Sequence, residues 1–144
     1  MKNRLSPLRA FVMILLLFLS NAYAAEGVPH KLVIQVSTDD PRTQKIALNN
    51  AVNLQKIYGL DNVVIEVVAY GPDLGLMTKK SKQAARVTSL AQQNIVFSAC
   101  SNTMKKVKKK TGKLPVLLEG VQSVNAGVDR IMTLQEQGYA YLRP

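Results

Sequence analysis

The stretch NVVIEVVAY, Asn62 to Tyr70, is apolar at almost every position and rich in β-branched residues. A strand with one wet face alternates apolar and polar side chains, whereas one that is apolar throughout needs cover on both faces. KLVIQVS, Lys31 to Ser37, and IVFSAC, Ile95 to Cys100, have the same character. Helix-period segments separate these runs, and strands alternating with helices specify a mostly parallel sheet between helical layers. The expected fold class is therefore α/β, a three-layer α/β/α sandwich with a sheet of about five strands. The strand order does not follow from the pattern.

The intervening segments carry their own punctuation. Asp40 reads as a helix cap and Pro41 suits the first turn, where a missing N–H is harmless. That helix runs to about Tyr58, with Ala47, Leu48, Ala51, Leu54 and Tyr58 on one side, and Gly59 stops it. Asn49, Asn50 and Asn53 fall off this stripe and read as solvent-facing, or as lining a cleft or subunit contact. After Gly71-Pro72, DLGLMTKK reads as a loop, and Ser81 as a cap for the helix KQAARVTSLAQQ, with Ala85, Val87, Leu90 and Ala91 as its apolar positions. SNTMKKVKKKTG opens with capping residues and closes on Gly112, a short third helix. LPVLLEG reads as a turn region and VQSV as a weak fourth strand. Ala126 to Gln137 reads as the last helix, with Val128, Ile131, Met132 and Leu134 apolar, and YAYLRP as a terminal strand.

The first 24 residues read as a leader rather than as fold. Lys2, Arg4 and Arg9 precede the apolar run FVMILLLFL, and Ala22-Tyr23-Ala24 offers small residues at a cleavage site. That order matches a secretory signal peptide, and the run is short of the ~20 apolar residues a spanning helix needs. The expectation is cleavage after Ala24, a single domain over 25–144, a periplasmic location and no membrane span after cleavage. Three of the 19 Lys and Arg lie in the leader and all nine acidic residues lie beyond it, which leaves 16 against 9, a net charge of +7. Such a balance suits anionic partners in general. No aromatic-rich basic motif accompanies it, so nucleic acid is not an expected partner.

Cys100 is the single cysteine, so no disulfide can form within one chain, and without a C-x-x-C pair a dithiol mechanism is excluded. His30 has no partners at metal-ligand spacing and reads as solvated; no metal or cofactor is expected. Cys100 falls at the carboxyl end of the third strand, the edge where open α/β sheets bind ligands. Ser101, Asn102 and Thr103 open the following helix, whose free N–H groups favour an anion and so a thiolate. Lys105 and Lys106 add positive charge within a turn. The competing reading is equally physical: cysteine often behaves as a small buried hydrophobe. Lys105, Lys106, Lys108, Lys109, Lys110 and Lys113 crowd a short span, as a solvated face or as a docking patch for an acidic partner or anionic surface. Lys79, Lys80 and Lys82 extend that surface, while Asp39, Asp40 and Arg42 lie past the first strand, also at the ligand edge.

The stretches HKLVIQVSTDDP, ALNNAVNLQKIYG, VVIEVVAYGP, FSACSNTM and LQEQGYAYLRP together resemble the DsrE/DsrF-like family of sulfur-relay proteins, over about Lys31 to Pro144. The resemblance implies a small α/β/α sandwich that assembles into homo- or hetero-oligomers. It also implies that Cys100, in the position of the relay cysteine, accepts sulfur as a persulfide and passes it on. The leader and the lysine-rich segment depart from the cytoplasmic relay pattern. Two functions follow as expectations. In the first, a periplasmic sulfur-handling protein uses Cys100 as nucleophile, Ser101, Asn102 and Thr103 to stabilise the anion, and Lys105 and Lys106 to attract anionic sulfur compounds. In the second, the chain is a non-catalytic oligomeric binding module in which Cys100 is packing. Whether it is an enzyme stays open between them.

Overall fold

The computed structural model describes residues 29–144; the expected leader, 1–24, lies outside the described residues. The chain runs β1 (His30–Val36), α1 (Pro41–Tyr58), β2 (Val63–Ala69), a 3₁₀ helix (Gly71–Met77), α2 (Ala84–Ala91), β3 (Ile95–Cys100), α3 (Ser101–Thr111), β4 (Val121–Val124), α4 (Gly127–Glu136) and β5 (Ala140–Leu142). The five strands form one sheet in the order β4-β3-β2-β1-β5, and every neighbouring pair is parallel. The fold is a three-layer α/β/α sandwich, as the apolar strands require.

Topology explains the layers. From β1 to β4 the chain steps outward in one direction, so right-handed crossovers put α1, α2 and α3 on one face; the return from β4 to β5 puts α4 on the other. The larger apolar cluster fills the first interface: Ile34, Ile65, Val67 and Phe97 of the sheet meet Ala47, Leu48 and Ala51 of α1 and Val87 and Leu90 of α2. The smaller one joins Val33 and Val68 to Ile131 and Leu134 of α4. Successive residues of a strand alternate between these interfaces.

Local chemistry sets the element ends. Asp40 caps α1, its carboxylate accepting from the Thr43 N–H at 2.8 Å and the Thr43 hydroxyl at 2.7 Å. Those bonds, the hydroxyl first, hold the Asp40 carboxyl below its ordinary range. Gly112 ends α3 with φ +78, donating its N–H to the Lys108 carbonyl, a left-handed turn that glycine adopts without strain.

Several expectations need correction. DLGLMTKK is no plain loop: the 3₁₀ helix buries Leu74, Leu76 and Met77 in the larger apolar cluster. Ser81 does not cap α2, which starts at Ala84; its hydroxyl accepts instead from the Gln83 N–H at 3.1 Å. LPVLLEG contributes a bridge, Leu117 pairing antiparallel with Thr78. On α4, Ile131 and Leu134 are buried, but Val128 and Met132 are 55% and 57% exposed, because this helix alone covers its face of the sheet and turns one side to solvent. On α1, Tyr58 leaves the core and its ring stacks on His30, with centroids 3.9 Å apart, while Gln55 is buried and donates to the Gln93 carbonyl. Asn49 does not stand free in solvent: it accepts from the Arg86 guanidinium at 2.7 Å, tying α1 to α2.

Candidate functional site

Cys100 closes β3 and is itself the N-cap of α3, with φ −73 and ψ 115. The expected capping residues therefore sit inside the helix, one to three positions on. The pleat sends Cys100 to the α4 side, two residues after Ser98, and it belongs to neither apolar cluster although it is 5% exposed. β3 and β4 end together, with Cys100 opposite Val124, so the first turns of α3 and α4 converge on the thiol. Burial pushes the Cys100 thiol up; hydrogen bonding from the Thr103 hydroxyl and the N–H groups of Thr103, Gly127 and Asn102 pulls it down further, and it ends below its ordinary value. No side-chain capping bond satisfies the first N–H groups of α3, which leaves them available to the Cys100 sulfur.

Two neighbours hold this arrangement. The Thr103 hydroxyl oxygen accepts from the Gly71 N–H at 3.0 Å, which fixes it between the 3₁₀ helix and the thiol. Gly71 makes the sharp exit from β2 with φ +63, where any side chain would be strained. Gly127 packs under Tyr70 so closely that an added Cβ would meet the ring at 2.8 Å. That closeness lets the Gly127 N–H approach Cys100.

The remaining predicted residues divide. Asn102 and Thr103 serve Cys100. The Ser101 hydroxyl is engaged with Ser123 instead, at 2.7 Å, stitching α3 to β4. Lys105 is exposed and borders no cavity described. Lys106 lines a cleft of about 910 Å³ on the other side of α3, together with Lys79, Lys80, Lys110 and Lys113. Thr103 lies on both sides of this division, bordering the cleft as well as the thiol.

Sequence reading missed two polar features. Glu66, on β2, is 2% exposed; Ser98 donates to it at 2.6 Å and Arg130 grips both of its oxygens, at 2.8 and 2.7 Å. Gln122 extends the row by donating to Ser98 at 2.9 Å. Bonding to Glu66, first of all, holds the Arg130 guanidinium above its ordinary value. The signal was the single acid in VVIEVVA: a charge in a strand covered on both faces must be paired. Asp73, in the 3₁₀ helix, is fully buried; Gln44 donates to one oxygen and the other has no partner. Desolvation, first of all, raises its pKa to about 7. Among the described residues no group of three or more His, Cys, Asp or Glu is placed to hold a metal ion, and no helix is long and apolar enough to cross a membrane.

A parallel five-stranded sheet with three helices on one face and one on the other, ending in a helix-capping cysteine, defines a single-domain α/β/α protein. In sequence and fold the chain is similar to MTH1491, a protein of unknown function from Methanobacterium thermoautotrophicum. The two are 34% identical over 80% of this chain and 99% of that one, with a TM-score of 0.71. The chain belongs to the same family as MTH1491. No protein-family model and no curated protein matches it.

Proposed function

We propose that the chain is an exported sulfur carrier of the DsrE/DsrF-like kind, working in the periplasm, in which Cys100 holds persulfide sulfur between a donor and an acceptor. The observation that carries this reading is the placement of Cys100: a thiol outside both apolar clusters, at the start of one helix and beside the start of another, with its pKa lowered. A core filler needs none of these donors.

The chemistry needs no redox partner. The Cys100 thiolate attacks the outer sulfur of a persulfide or of thiosulfate. A new S–S bond forms, the donor's S–S bond breaks, and a thiolate or sulfite leaves with the electron pair. A second thiolate then attacks the outer sulfur on Cys100 and carries it away, which restores the Cys100 thiolate. Asn102, Thr103 and Gly127 stabilise the negative charge at the first and last stages through their N–H groups. Cys100 is only 5% exposed, so its accessibility to a donor is what the alkylation measurement below reads.

The test is intact-mass measurement after incubation with polysulfide or thiosulfate, paired with alkylation of native and denatured protein across pH. Wild type gains the mass of one sulfur and Cys100→Ser gains none. Absence of loading in wild type, or equal loading of the serine variant, overturns the proposal. A native thiol protected at every pH favours the second reading, a non-catalytic oligomeric module; the exposed Val128 and Met132 of α4 would then be the face to examine.

A further inference from the structure

From the lysine-rimmed cleft we infer a binding site for a single amphiphile, a phosphate monoester on an apolar body, held as one molecule from solution. The inference does not rest on the chemistry of Cys100.

The cleft has two walls. One is the face of α3 that carries Thr103, Lys106, Val107 and Lys110. The other is a strap, Lys113 to Leu118, tied to the end of the 3₁₀ helix by the Lys79 N–H to the Val116 carbonyl at 3.3 Å and the Leu118 N–H to the Met77 carbonyl at 2.9 Å. Leu74, Val107, Leu114, Pro115 and Val116 make the lining largely apolar. Leu114 and Val116 are 50% and 61% exposed, far more than a strap residue with a packing role would be. The cavity of about 910 Å³ falls within the range of small-molecule sites.

Charge fixes the head group. Five lysines line the cleft and no Asp or Glu does. None of the five is in a salt bridge with a described residue, since the ion pair found among these is Arg130 with Glu66. Lys106 and Lys110 are four residues apart on α3, a spacing at which like charges destabilise a helix by a few tenths of a kcal/mol. A phosphate monoester, carrying about −1.5 to −2 at pH 7, offsets several ammonium groups where one carboxylate would leave most unmatched. Lysine suits it as a mobile point charge.

The experiment is calorimetric titration of the folded chain with n-decyl phosphate below its micellar concentration, alongside decanol and inorganic phosphate. Decyl phosphate binds at one site per chain, and the two half-ligands bind at least about tenfold more weakly, since each loses one class of contact. The Lys106→Gln/Lys110→Gln variant, which stays folded because both side chains are exposed, weakens decyl phosphate about tenfold and flattens its salt dependence. Val116→Glu does the same from the opposite wall, and Cys100→Ser leaves binding unchanged. Inorganic phosphate binding as tightly as decyl phosphate overturns the apolar half of the site, and decanol binding as tightly overturns the cationic half. Binding to anionic vesicles or an acidic peptide without binding of the monomeric amphiphile overturns the assignment altogether.

Discussion

Arg130 of α4 and Glu66 of β2, 64 residues apart in the chain, meet in a two-pronged ion pair whose carboxylate is almost completely enclosed. The pair helps to fasten α4 to a sheet face against which the helix buries two large side chains, Ile131 and Leu134. Removing the arginine strands the carboxylate. Arg130→Ala is expected to destabilise the fold by about 2–4 kcal/mol, below the usual figure for breaking a buried pair because Arg130 is 32% exposed. Adding Glu66→Gln to that variant recovers part of the loss. Urea unfolding of the two single variants and the double variant measures both effects, and an additive double variant contradicts the pairing argument.

Asp73 makes stability depend on pH in the direction opposite to most carboxylates. Its folded pKa of about 7 lies above the ordinary 3.8, so the folded state holds a proton that the unfolded state has released. Its contribution is fully present below about pH 4, declines as pH rises to about 7, and is flat above. Asp40, with its lowered pKa, acts only below that window, weakening the fold as acid protonates it. Asp73→Asn is expected to flatten the decline between pH 4 and 7, measured as Tm across that range.

Thr103 should set the acidity of the thiol. Its hydroxyl helps to hold the Cys100 pKa down by hydrogen bonding that favours the thiolate. Thr103→Val is therefore expected to move the midpoint of Cys100 alkylation upward, and Thr103→Ser to keep it in place. An unchanged midpoint in the valine variant would assign Thr103 a purely structural role through its bond with Gly71.

Gly127 admits no side chain. A Cβ there would lie 2.8 Å from Cδ1 of Tyr70, and 3.1 and 3.2 Å from its Cβ and Cγ, atoms too near the Tyr70 backbone to swing aside. Gly127→Ala is expected to cost about 1–3 kcal/mol. It should also raise the Cys100 midpoint, because the displaced helix carries the Gly127 N–H away from the sulfur. Thermal denaturation and the alkylation profile read the two effects separately.

Most secondary structure was legible from local chemistry. IVFSAC and VQSV are strands with the expected ends, and Asp40-Pro41 and Gly59 bracket the first helix. These follow from β-branching, capping and glycine conformation, which act within a few residues. The 3₁₀ helix at Gly71–Met77 was not legible, because a seven-residue segment carries too little periodicity to separate a tight helix from a loop. The exposure of Val128 and Met132 was hidden for a different reason: apolar spacing marks one side of a helix, but the number of helices sharing a sheet face decides how much of that side is covered.

Chain order alone determined the alternation of strand and helix, the apolar character that demands two helical layers, and a cysteine at the end of the third strand. Tertiary structure decided what those residues meet. Only the order β4-β3-β2-β1-β5 brings Gly127 to Cys100 and Arg130 to Glu66, and only the folded strap turns dispersed lysines into the rim of one cleft. Pairings between residues tens of positions apart depend on which strands lie side by side, and no local propensity encodes that choice.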